Sequence, residues 1–300
     1  MLIMKHIIYS IIVILGITII LSCEEEIDWK EAEMPEMLVV EGSFTNEFKK
    51  HQVILSSSAE YFSNTPTDRI SGASLFITNG NDIYTMRENP LKSGIYETND
   101  SVAGVPGNTY TLDITLPNPV NNTSHYQSTG KLIKGIDIDS LVVMLYENPV
   151  YFENSGIDSL MTVMVVFGQD PSQYENYYQL NTYINDSLLN DTVDEVSYIS
   201  DVEGINGEFI HTFMFFHQFN INDLIQFEMQ SVEKSYFDFL TGVQNIANQS
   251  ADPFDMSGPP ANAIGNIKGD GQIEAIGFFK VAYVSRGFNF AHIPKEEQEE

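Results

Sequence analysis

The sequence predicts a mainly β protein interrupted by one amphipathic helix. Three observations carry this. From Met37 onwards apolar residues recur at alternate positions over short runs, the period of a half-buried strand. Clusters of Gly, Asn, Asp and Pro separate these runs, and those residues turn a chain. One stretch, 232–248, switches to a period near 3.6 through Val232, Tyr236, Phe239, Leu240, Val243 and Ile246.

Taken in order, MLVVEGSF and QVILSSS read as the first two strands. ASLFITNGNDIYTMRE reads as a hairpin, because Asn79, Gly80, Asn81 and Asp82 tolerate the positive φ that tight turns demand. GIYET follows, and after the Val105-Pro106-Gly107-Asn108 turn comes TYTLDITLP. So many short strands between turns point to a β-sandwich over residues 36–131. Through Gly94, Tyr96, Pro106, Gly107, Tyr110 and Leu112 this segment resembles the immunoglobulin-like and carboxypeptidase-regulatory-like β-sandwiches.

Residues 132–291 read as a second β-rich domain, with strands SLVVMLYEN, LMTVMVVFG, YYQLNTYIN, EFIHTFMFF and DLIQFEMQS. The helix over 232–248 takes Ser231 as its expected N-cap. A Pro- and Gly-rich loop over 252–265 leads to a closing strand, EAIGFFKVAYVSR, and residues 292–300 form an acidic tail.

The start of the chain bears on location. Lys5 and a run from Ile7 to Leu21 precede Ser22 and Cys23, the one cysteine. Fifteen apolar-run residues fall short of the roughly 20 that span a bilayer. With a basic start and a small residue at the end, the segment reads as a signal peptide over residues 1–22. Ile20-Leu21-Ser22-Cys23 resembles a lipobox, which implies cleavage between Ser22 and Cys23 and acylation of the Cys23 sulfur. A lone cysteine offers neither a disulfide partner nor a thiolate metal set. More than one acyl chain would anchor the protein stably. Glu24, Glu25 and Glu26 open an acidic tether over 23–35, and they resemble the signal that sends lipoproteins to the outer face of an outer membrane, with periplasmic retention as the alternative.

The net charge is −28, with 14 basic residues against 42 acidic ones. This opposes nucleic-acid binding, whose affinity comes from Lys and Arg on phosphates. An apolar content of 43% and an aromatic content of 12% are those of a folded chain.

The whole order of motifs now resembles one family. A lipidated Cys, MLVVEGSFT, SGASLFITNG, GIYET…PGNTYTLDI, FNINDLIQFEMQSVEKSYFDFLTGVQNIANQ and GNIKGDGQIEAIGFFKVAYV follow one another. The chain resembles the family called domain of unknown function 4249 over roughly residues 23–285. That resemblance implies an outer-membrane lipoprotein found beside TonB-dependent receptors, and it implies no reaction, ligand or cofactor.

Catalytic motifs are sparse. No nucleophile elbow, zinc-protease motif, P-loop or dinucleotide glycine pattern is present. Ser231-Val-Glu-Lys234 matches Ser-x-x-Lys, but the companion motifs are missing and Ser231 has its expected capping role. His211 and His217 share a predicted strand too far apart for one zinc ion, about 20 Å by strand rise. His51 and His125 have no partner nearby in sequence. Asp137, Asp139, Asp252, Asp255 and Asp270 could reach a calcium ion only as a scattered set. No catalytic residue, metal or cofactor is therefore expected.

Two groups remain. Tyr174, Tyr177, Tyr178, Tyr236 and Phe237 are expected ligand or partner contacts, since aromatic rings stack on sugars and fill docking pockets. Asp-Ser/Thr-apolar triplets at Ser101, Ser140, Ser159, Ser187 and Thr192 resemble O-glycosylation acceptors. The expected function is a non-catalytic surface lipoprotein, an accessory or ligand-binding partner of a TonB-dependent receptor. A hydrolase of envelope polymers and an adhesive surface protein are the alternatives.

Overall fold

The computed structural model describes residues 35–58, 67–147, 160–169, 176–190, 192, 195–200, 208–215, 219–249, 263–270 and 274–293. The signal segment, Ser22, Cys23 and the acidic tether up to residue 34 lie outside them, as do Tyr174, Ser159, His217, Asp252 and Asp255.

The first seven strands are β1 (Leu38–Thr45), β2 (Gln52–Ser57), β3 (Ser74–Thr78), β4 (Ile83–Asn89), β5 (Lys92–Thr98), β6 (Thr109–Val120) and β7 (Thr123–Lys131). The expected hairpin is β3–β4, closed by Asn79 and Asp82, where the Asn79 side-chain oxygen accepts the backbone N–H of Asn81 and Asp82. The chain continues with β8 (Asp137–Glu147), β9 (Leu160–Gln169), β10 (Tyr177–Ile184), β11 (Ser187–Leu188), β12 (Ser197–Ser200), β13 (Glu208–Phe215) and β14 (Leu224–Val232). Helix α1 (Lys234–Gln249) precedes β15 (Lys268–Gly269) and the long β16 (Ile276–Phe290). The fold is mainly β, with α1 the one helix among the described residues.

Thirteen strands join one mixed sheet, in the order β11-β10-β14-β16-β1-β2-β5-β4-β3-β6-β7-β15 with β12 also on β10. Alternation along the first strands buries Leu38, Val40, Phe44, Val53, Leu55, Leu75, Ile77, Leu112 and Ile114 in one core, to which β16 adds Phe279 and Val281. The motif tyrosines are part of this core. Tyr96 donates its hydroxyl to Ile70 O at 2.9 Å, and Tyr110 accepts the Val105 N–H at 2.7 Å, so each buried ring keeps its polar tip satisfied. A smaller sheet, β13-β9-β8, packs on β10 and β14 through Val143, Met164, Val166, Leu180, Phe227 and Met229.

The two expected segments share the large sheet, because β16 lies between β14 and β1. Its first half pairs in parallel with β1, Val39 opposite Ile276 through Thr45 opposite Ala282. Its second half pairs antiparallel with β14. A parallel pair needs a long crossover, and residues 46–275 supply it. The junction is tight. Gly277 has φ +96°, and a Cβ there would lie 2.1 Å from Val40 O. A Cβ on Gly265 would lie as close to Gly277 O. Asn266 then bonds the Phe279 backbone twice, donating to its O and accepting from its N–H, each at 2.9 Å. Only glycine fits both contact points.

One local expectation is corrected. Ser231 is not the helix cap: β14 runs on to Val232, and Ser231 is buried. The helix begins at Lys234, and Glu233 O accepts the N–H groups of Tyr236 and Phe237. Packing of β14 against the second core overrides the capping preference.

Candidate functional site: the helix-covered face of the sheet

The two faces of β10, β14 and β16 have different contents. One face feeds the two larger apolar cores, and the other holds a small one, Tyr177, Val232 and Ala282, on which Tyr236 and Phe237 pack. The other carries Tyr177, Gln179, Asn181 and Tyr183 on β10, Gln226, Glu228, Gln230 and Val232 on β14, and Phe278, Lys280, Ala282, Val284 and Arg286 on β16. Strand alternation puts them together, and cross-strand register aligns Asn181 with Glu228 and Arg286.

Glu228 is 2% exposed and forms the centre of a charged chain. Arg286 donates to its Oε2 through Nε at 2.7 Å and Nη2 at 2.5 Å. Its Oε1 accepts from Asn181 at 2.8 Å and from Gln230 at 2.5 Å. Arg286 also pairs with Glu47, which Lys49 meets from its other oxygen at 2.6 Å. Burial pushes the Glu47 carboxyl up, but the hydrogen bonds from Arg286 and Lys49 prevail and hold it at about 2. A buried carboxylate so fully bonded has little left to offer a ligand, so Glu228 organises the face.

Lys280 is different. Its ammonium donates to Gln230 Oε1 at 2.6 Å and to Gln179 Oε1 at 3.0 Å, and it lies 5.2 Å from the centre of the Tyr236 ring. Tyr236 donates its hydroxyl to the same Gln179 oxygen at 3.3 Å. Burial pushes the amine down to about 8, against the pull of Glu228 in the other direction.

Helix α1 lies over this part of the face. Phe237 packs against Tyr177 and Tyr198, with ring centres 5.0 Å apart in each case. Tyr236 and Phe239 meet Phe278 at 5.0 and 5.2 Å. Gln244 donates to Val196 O at 3.2 Å. None of the described side chains over 234–247 is fully buried.

Of the aromatic residues expected as contacts, the structure thus brings Tyr177, Tyr236 and Phe237 together, with Tyr177 buried and the other two half-exposed. Tyr178, the neighbour of Tyr177, points to the opposite face and is buried in the second core. The expected modification positions are spread over the surface: Ser140, Ser187 and Thr192 are exposed and Ser101 is half-buried.

The motif residues do not assemble a nucleophile. Ser231 Oγ is buried without a hydrogen-bond partner among the described residues, whereas Lys234 points outwards to Asp238 at 2.8 Å. The histidines do gain partners. His51 is buried against Phe44 and bonds Val102 O through Nε2 at 2.9 Å, and burial lowers its pKa. His125 lies between Asp113, at 3.0 Å from Nε2, and Asp270, at 3.3 Å from Nδ1, and those bonds raise its pKa. Asp137 accepts from Tyr283 and pairs with Lys134. Among the described residues no cluster of three or more His, Cys, Asp or Glu is placed to hold a metal ion. Nor is any described helix long and apolar enough to cross a membrane.

Lys280 and the Glu228 chain were missed in the sequence, where they read as strand residues. The one usable signal was a lysine within the apolar run GFFKVAYV.

A family model described as Domain of unknown function (DUF4249) matches residues 24–287. No curated protein matches the chain.

Proposed function

The chain belongs to the domain-of-unknown-function family DUF4249, and from that premise we propose that it is a lipid-anchored, surface-exposed outer-membrane lipoprotein. In this reading it is a non-catalytic accessory of a TonB-dependent receptor and captures a ligand for uptake. Acylation of Cys23 provides the mooring, and the acidic tether after it holds the body away from the lipid. The resemblance described above supports the setting.

The observation that carries the capture role is the cluster of Tyr177, Tyr236 and Phe237, with Lys280 and its two glutamines beside Tyr236. Aromatic rings beside a positioned cation are a recognition surface. Ser231 is buried and Lys234 pairs with Asp238, which favours the capture reading over a hydrolase built on that motif. Ser140, Ser187 and Thr192 are exposed and so accessible to O-glycosylation.

Tagged protein purified from native envelope tests the proposal. Mass spectrometry should find a receptor barrel in stoichiometric amounts. A clean monomer from the same gentle extraction would overturn it.

A further inference from the structure

We infer that Lys280 marks a binding site for a carboxylate carried on an apolar or aromatic body, with helix α1 as its displaceable cover. This deepens the capture reading above and rests on it.

The argument begins with charge pairing. In a chain of net charge −28, this region gathers Lys49, Lys234, Lys280 and Arg286, four of the 14 basic residues. Lys49 pairs with Glu47, Arg286 with Glu47 and Glu228, and Lys234 with Asp238. Lys280 has no carboxylate within ion-pair reach among the described residues. Its ammonium rests on two neutral amide oxygens and the face of one ring. Holding a half-buried cation among neutral acceptors is costly, and an incoming carboxylate supplies the missing charge.

The surroundings specify the rest of the ligand. Tyr236, Phe239 and Phe278 form a continuous aromatic wall beside the amine, with neighbouring ring centres 5.0 to 6.1 Å apart. Such a wall suits an apolar or aromatic body better than a sulfate or phosphate, which would have to shed its water against rings. The groups facing Lys280 are Gln179 from β10, Gln230 and Glu228 from β14, Tyr236 from α1, and Ser43 and the exposed Glu41 from β1, with Glu41 outside ion-pair reach, while Lys49 acts from the turn after β1. Glu228 is already occupied by Arg286, Asn181 and Gln230, which leaves Lys280 available.

Entry requires α1 to shift. Every described side chain over 234–247 retains some exposure, and the helix covers a face that includes a lysine. A cover so lightly buried separates from the sheet at less cost than an element of the core.

Titration calorimetry on the detergent-purified full chain tests this, with phenylacetate as probe and phenylacetamide as its uncharged control. At about pH 9 the free amine, pushed down to about 8, is mostly neutral. Phenylacetate should bind saturably and take up most of one proton, read from buffers of different ionisation heat. Phenylacetamide should bind at least about ten-fold more weakly. Lys280→Met should abolish both the uptake and the preference, and Lys280→Arg should keep the preference without the uptake. Equal binding of acid and amide, uptake that persists in Lys280→Met, or no saturable binding of phenylacetate would overturn the inference. Receptor recovered from envelope alongside failed phenylacetate binding would sink this inference and leave the capture reading standing.

Discussion

Replacing Lys280 with Met should remove a rise in stability at alkaline pH. In the folded chain the amine titrates at about 8, below its ordinary value of 10.5. The folded state therefore releases the proton first, so stability is lowest below pH 8 and grows as pH rises through 8 towards 10.5. The gap of about 2.5 units corresponds to about 3 kcal/mol over the full range, of which about 2 kcal/mol falls between pH 7 and 9.5. The tyrosines act mainly above that window and alike in both proteins, so the reading is the difference between wild type and variant. Burial raises the pKa of Tyr236 and, with Asp137, takes Tyr283 to about 12, so their contribution is lost only above about pH 10. Urea unfolding at intervals across the window measures the change, because a shift in midpoint at constant slope is a shift in stability. Relative to the Met variant, the wild-type protein should gain about 2 kcal/mol across the window. Parallel profiles for the two proteins would refute the placement of a depressed amine under α1.

Three further substitutions follow from the same geometry, and a fourth tests the anchor. Gly277→Ala should destabilise by more than about 2 kcal/mol, since it forces positive φ on alanine and pushes a Cβ to 2.1 Å from Val40 O, and Asn266→Ala should cost about 2 kcal/mol through its lost backbone bonds to Phe279 and Thr129; denaturant melts report both. His125, whose raised pKa comes from Asp113 and then Asp270, should contribute stability that is present below about pH 6.5 and lost as pH rises through the raised value. His125→Asn should flatten that decline, and because the ring is exposed the effect should be small. Finally, Cys23→Ser should move the protein from the membrane fraction to the soluble one and abolish labelling by a fatty-acid probe; retention in the membrane would sever the anchor from this residue.

How much of this could be read from the sequence depends on range. Strands such as β1, β6 and β14 were legible because alternation is a local property, and the same holds for α1, whose apolar period survives in its contacts with Phe278 and Tyr177. The capping role of Ser231 failed because β14 keeps its register with β16 through Ser231, opposite Tyr283, and a strand held on both sides outcompetes one side-chain cap. The chemistry of the face was hidden for another reason. Lys280 meets Gln179 and Gln230 across 101 and 50 residues, and Arg286 reaches Glu47 across 239. Such pairs exist only once β16 has crossed back to lie between β1 and β14. His125 likewise finds Asp270 across 145 residues. The glycines of the closing motif were visible as letters, yet their meaning came from the parallel pair they permit.

The most direct test of the account is photo-crosslinking in the living envelope from a benzophenone side chain placed at position 237 on α1. The account predicts adducts with a receptor barrel or its imported cargo from that position, and none from the same probe at Leu91 in the turn between β4 and β5. An adduct-free position 237, or identical adducts from both positions, would contradict the claim that the helix-covered face is where this protein works.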